Sequence, residues 1–154
     1  MSLLKSFDPA RLCGKWVNQL GSHMILTADK CGNISGRYNS AVGKAEDFYV
    51  LTGRFDTTPP DNKGVSLGWV VTYKNTKLEA HSTGTWSGLY FDQTRGASRE
   101  MILTHWLLTR STEGKDVWES TRAGNDVFTR DEPGDDGVDS NAKPGFARPV
   151  RSRL

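Results

Sequence analysis

Apolar residues recur in this chain with a period of two, and turn-forming residues break the pattern at short intervals, which leaves little for it to become except short antiparallel strands. Tyr49, Leu51, Gly53 and Phe55 share one phase, Leu67, Trp69, Val71 and Tyr73 repeat it, and Met101, Leu103, His105 and Leu107 do so again. Each set reads as the core-facing side of a strand. Turn signals stand at Gly21-Ser22, Asp29 to Asn33, Gly43-Lys44, Pro59 to Gly64, Lys74-Asn75, Arg95-Gly96 and Glu113 to Lys115, so about eight strand-like runs fit between them. No long segment places apolar residues at helical spacing; only a short turn near Thr112 to Asp116 is compatible with helix. A parallel fold with crossover helices is therefore excluded. The pattern predicts an all-β, eight-stranded antiparallel up-and-down β-barrel, whose closure removes sheet edges and whose interior holds one small ligand. A β-sandwich is the alternative.

A chain of 154 residues suffices for one core. The boundaries read as an N-terminal extension at 1–12, a barrel at 13–130, and a tail at 131–154 too rich in Gly, Pro and charge to bury anything, read as disordered. Lys and Arg number 20 against 18 Asp and Glu, and much of the excess sits between Arg148 and Arg153, so neither nucleic acid nor a membrane is expected as a partner. Met1 to Pro9 lacks the apolar core of a signal peptide, which reads as intracellular if the chain is complete and secreted if a leader was removed. Cys13 and Cys31 match no zinc or redox spacing; pairing of the first two strands places Cys13 opposite a residue near Ala28, and a disulfide and two free thiols both remain open.

Several blocks carry a more specific signal: Gly14 to Ser22, Ser40-Ala41-Val42-Gly43, Tyr49 to Arg54, Leu67-Gly68-Trp69, Ala80-His81-Ser82, Thr85 to Gly88, Trp106 to Thr109, and Asp116 to Thr121 followed by Gly124-Asn125-Asp126. In order and spacing, across about residues 13 to 130, they resemble the avidin and streptavidin family. The resemblance implies a biotin-binding barrel with no catalysis, no cofactor and no metal, biotin itself being the ligand. Laid on this chain, it implies that Asn18, Ser22 and Tyr38 donate to the urea oxygen of biotin, and that Ser40 and Asp126 accept from its N–H groups. Converging donors polarise the carbonyl, and an ionised carboxylate is the charge-assisted partner of the more acidic N–H. The family wall positions fall on Tyr73, Trp86, Trp106 and Leu108, with Leu20 and Ala80 beside them, while Trp16 and Trp69 read as core. Residues 40–47 match a lid, with Val42 and Gly43 over the ligand, and Lys44 and Ser82 match positions near the valerate carboxylate. Trp118 matches a tryptophan that crosses a subunit interface in tetrameric members, which implies a homotetramer.

The chain departs from the streptavidin pattern at the apolar end: Tyr73 stands for a wall tryptophan, Gly84 for a threonine near the ligand sulfur, and Lys44 for a lid asparagine. Recognition of the urea head with weaker retention of the whole ligand is the expectation, Lys44 offsetting part of the loss for a free carboxylate. An enzyme on a similar barrel would need His23, His81 and His105, yet no nucleophile motif accompanies them. A lipocalin-like binder of another apolar molecule is opposed by the complete polar set.

Overall fold

The computed structural model describes residues 5–40, 48–75, 80–130 and 152–153. Eight strands follow one another: β1 (Gly14–Asn18), β2 (His23–Ala28), β3 (Asn33–Asn39), β4 (Tyr49–Phe55), β5 (Val65–Asn75), β6 (Ala80–Phe91), β7 (Met101–Arg110) and β8 (Thr121–Thr129). Each pairs antiparallel with the next, and β1 returns to β8 through Val17↔Thr129 and Asn18↔Phe128, closing an up-and-down barrel. A two-residue strand, β9 (Ser152–Arg153), adds to β8 at Arg122 and Ala123; the rest of the tail lies outside the described residues.

Local chemistry sets the hairpins. Asn18 Oδ1 accepts from the backbone N–H of Leu20 at 3.0 Å and of Ser22 at 2.9 Å, and Gly21 takes the positive φ of 85° that the tight β1–β2 turn requires. Asp29 Oδ1 holds the β2–β3 turn in the same way, accepting from Cys31 N at 2.9 Å and Asn33 N at 3.0 Å. Among the described residues the helical content is 3-10 only: Gly114–Glu119, near the expected turn, and two segments the periodicity did not reveal, Pro9–Arg11 and Gln93–Arg95. Both of those begin after an aspartate, Asp8 or Asp92, whose carboxylate accepts from the N–H of the second residue, Ala10 or Thr94.

Inward residues of β4 and β5 are the expected ones, with Leu51, Phe55, Leu67, Trp69 and Val71 buried. In β7 the phase is the reverse of that expected. Ile102 and Thr104 are buried and Trp106 packs against the core, whereas His105 and Leu107 face outward, Leu107 being 46% exposed. Both phases of β7 carry apolar residues, so alternation could not choose between them; the inward Thr104 is satisfied by donating to Asp126 O at 3.1 Å.

The base of the barrel is plugged from the N-terminal side. Phe7 and Leu12 are buried and packed into the core with Tyr90, Phe55 and Trp16; ring pairs Phe7–Tyr90 and Phe7–Phe55 lie 5.3 and 5.9 Å apart, edge to face. The segment before Cys13 thus supplies part of the core. The opposite end, reached by the β1–β2, β3–β4, β5–β6 and β7–β8 connections, is the mouth.

Candidate functional site

Inside the mouth, alternation along β3, β5, β6, β7 and β8 brings Tyr38, Tyr73, Trp86, Trp106 and Asp126 to one interior. The Asp126 carboxylate, 5% exposed, accepts from Gln19 Nε2 at 3.0 Å through Oδ1 and from Trp86 Nε1 at 3.0 Å through Oδ2. A carboxylate has more lone pairs than these two donors use, so it retains acceptor capacity toward a guest.

The donor side is built at the β1–β2 turn. Because Asn18 Oδ1 is spent on two backbone N–H groups, the Nδ2 amide is the half of the side chain left to donate. Ser22, 1% exposed, hydrogen-bonds through its side chain to the Tyr38 phenol. Burial first, and the charge of Asp126 second, push Tyr38 well above the ordinary tyrosine value, against the opposing pull of Ser22. Tyr73 is raised in the same direction, by burial and then by Tyr38, Asp126 and Tyr49. Both phenols therefore stay protonated and able to donate across the ordinary pH range.

The apolar wall is aromatic. Trp86 stacks on Trp69 with centroids 5.9 Å apart and planes 22° apart, and lies 5.0 Å from Tyr38; Tyr73 packs edge to face on Tyr49 at 5.0 Å. Trp106 pairs with Gly124 across the β7–β8 ladder and its ring covers that glycine so closely that a Cβ there would overlap the indole. Leu108 pairs with Gly84, and Ser82 pairs with Tyr73, at the mouth side of the same interior; both are half-buried.

The structure thus gathers Asn18, Ser22, Tyr38, Tyr73, Gly84, Trp86, Trp106 and Asp126 into one interior, with half-buried Ser40 just past the end of β3. Leu20 is exposed on the β1–β2 turn, and Trp118 is 84% exposed on the 3-10 turn between β7 and β8. Val42, Gly43 and Lys44 lie outside the described residues, as does the Ala80 side chain. Trp16 and Trp69 are core, as expected.

Two further participants, Gln19 and Thr104, carry no signal in the sequence. Gln19 lies where the backbone ladder between β1 and β8 stops; its Oε1 accepts from Val127 N at 2.9 Å and its Nε2 donates to Asn125 O at 3.3 Å as well as to Asp126, so the carboxamide continues the ladder as a peptide unit would. Thr104 fixes the backbone of Asp126 from the neighbouring strand. Neither residue type is diagnostic in a sequence.

The three histidines are dispersed, His23 packed on Phe48 and His81 and His105 exposed. Among the described residues no cluster of three or more His, Cys, Asp or Glu side chains could hold a metal. Cys13 and Cys31 are free thiols, and Cys13 Sγ accepts from the backbone nitrogen of Ala28 at 3.3 Å, one residue beyond the position that the β1–β2 register sets opposite Cys13.

A family model described as Avidin family matches residues 6–131. Avidin of Gallus gallus is 32% identical over 123 residues, covering 77% of each chain. Avidin-related protein 4/5 of the same species is 30% identical over 121 residues with the same coverage.

Proposed function

The chain belongs to the avidin family, and from that premise we propose that it is a non-catalytic binding protein that holds biotin in the mouth of its barrel. The observation that carries this reading is the pairing of opposite poles in one aromatic cavity: a buried carboxylate with acceptor capacity left at Asp126, facing the donors of Asn18, Ser22 and Tyr38. A cyclic urea presents the complement, a carbonyl that accepts and N–H groups that donate. In this reading the carbonyl takes the three donors, the Ser22–Tyr38 hydrogen bond giving way to it, Asp126 and Ser40 accept from the N–H groups, and the ring face and tetramethylene chain lie against Tyr73, Trp86, Trp106 and Leu108. Each methylene buried there contributes about 0.8 kcal/mol.

Residues 40–47 act as the lid, with Val42 and Gly43 over the ligand and Lys44, Ser82 and Ala80 toward its carboxylate. The assembly is a homotetramer in which Trp118 caps a neighbour's site, while Leu20 stands beside the wall of its own. In support, Trp118 is the most exposed of the large apolar residues among the described residues, and the outer face of β5 to β7 carries exposed Val70, Leu89 and Leu107, more apolar surface than strands facing water usually keep.

Calorimetry with biotin tests the function: the parent binds with heat, and Asp126→Ala loses roughly a thousandfold in affinity, about 4 kcal/mol. No heat in the parent sinks the reading, and undiminished affinity in the variant sinks the site assignment. Light scattering on Trp118→Lys tests the assembly, a parent that elutes as a monomer being the contrary result.

A further inference from the structure

Gly84 lies on the inward face of β6, between Val71 of β5 and Leu108 of β7. Its φ is not among the positive values, so the backbone would accept any residue there. Space is what demands glycine. A Cβ on residue 84 would lie 2.8 Å from Cη2 and 2.9 Å from Cζ3 of Trp86, with Tyr73 Cε2 at an ordinary 3.6 Å. The obstruction is therefore one indole ring.

That ring is held along its whole length. Its benzo end rests on Gly84, one face stacks on Trp69, Tyr38 packs against it, and its Nε1 donates to Asp126 Oδ2 at 3.0 Å. Trp69 blocks retreat on the stacked side. A side chain at 84 would thus drive the indole into the cavity and draw Nε1 away from the carboxylate, leaving Gln19 as the remaining donor to Asp126. We propose that Gly84 is a positioning residue: by offering no side chain it lets Trp86 lie lengthwise between β6 and β8 and hold the Asp126 carboxylate in the orientation that receives the ligand. This deepens the biotin reading and rests on it. It also reverses the expectation drawn from the sequence, in which a missing threonine at 84 only subtracts a contact to the ligand sulfur; a threonine there weakens binding in this chain.

The test combines a spectroscopic readout without ligand and a double-mutant cycle with biotin. In the ligand-free protein, the Trp86 indole N–H resonance, assigned by its loss in Trp86→Phe, shifts in Gly84→Ala and exchanges faster with solvent. Gly84→Ala lowers biotin affinity about tenfold in the parent and less than about twofold in the Trp86→Phe background, because the residues act as a unit. An unmoved indole resonance, an equal cost in both backgrounds, or tighter binding by Gly84→Thr overturns the proposal. Should Gly84→Ala fail to fold, a folded Gly84→Ala/Trp86→Phe pair supports it, and failure of both overturns it. If the parent takes up no biotin, the functional reading falls, and the indole resonance alone decides the positioning role.

Discussion

At the base of the barrel, Arg130 gives hydrogen bonds to the carbonyls of Cys13, Lys15 and Arg11 and to Glu100, and lays its guanidinium 3.7 Å from the centre of the Trp16 ring. Tyr90 joins in by donating toward Asp92 and Glu100, and Asp92 also receives Arg11 at 3.3 Å. Polar groups there are consumed by one another, and the apolar space beneath is filled by Phe7 and Leu12. At the mouth the same residue types are only half engaged: Asn18 spends its oxygen on a turn and keeps its amide, and Asp126 takes two donors and keeps lone pairs. The mouth sets aside stabilisation that the base takes in full, as functional sites commonly do. Stability and recognition should therefore come apart when the ends are altered separately.

The largest effect on stability is expected at the base. Leu12 is fully buried in the plug, and Leu12→Ala should lower unfolding free energy by about 3 kcal/mol. Chemical denaturation reads that loss, while biotin affinity per folded molecule stays within about twofold of the parent. A comparable fall in affinity would show that the ends are coupled and would undo the comparison.

Next comes the mouth. Tyr38→Phe removes one phenol from the donor set while keeping its ring on Trp86, so affinity should fall about tenfold, near 1.4 kcal/mol, with stability changed by less than about 1 kcal/mol. Titration and thermal melting of one sample suffice. Stability falling more than affinity would place Tyr38 among structural groups like Tyr90.

How much of each end could be read from the sequence differs for a physical reason. Strands and hairpins follow from local signals, and Asn18, Ser22, Tyr38 and Asp126 stood out because a family pattern fixed their order along the chain. Gln19 and Thr104 did not, since their roles exist only once β1 closes against β8: Gln19 meets Val127 across 108 positions of sequence. The β7 phase is not legible in the sequence because Leu103 and Leu107 are as apolar as Ile102 and Leu108, and only closure decides which set turns inward. The two missed 3-10 turns had a local signal in Asp8-Pro9 and Asp92, a capping aspartate in each case. Gly84 reads in the sequence as a lost contact, because a sequence displays what a residue lacks and not the ring that occupies its place.

The smallest effect separates the ends by pH. Burial of Asp92 would by itself raise its carboxyl, but hydrogen bonds from the Thr94 side chain and backbone, then Tyr90, and the charge of Arg11 outweigh it and hold the group below the ordinary aspartate value. A carboxyl depressed in the folded state contributes stability at pH above its unfolded value of about 3.9 and loses it as pH falls through the folded value. The base should therefore weaken in acid below about pH 4 as Asp92 takes up its proton. In Asp92→Asn this contribution is absent at every pH, so the variant is less stable than the parent near neutrality and the gap narrows as acid is added. Melting temperatures of both proteins between about pH 7 and about pH 3 trace it. A gap that stays constant across that range would mean that Asp92 holds the base by shape and hydrogen bonding alone, without its charge.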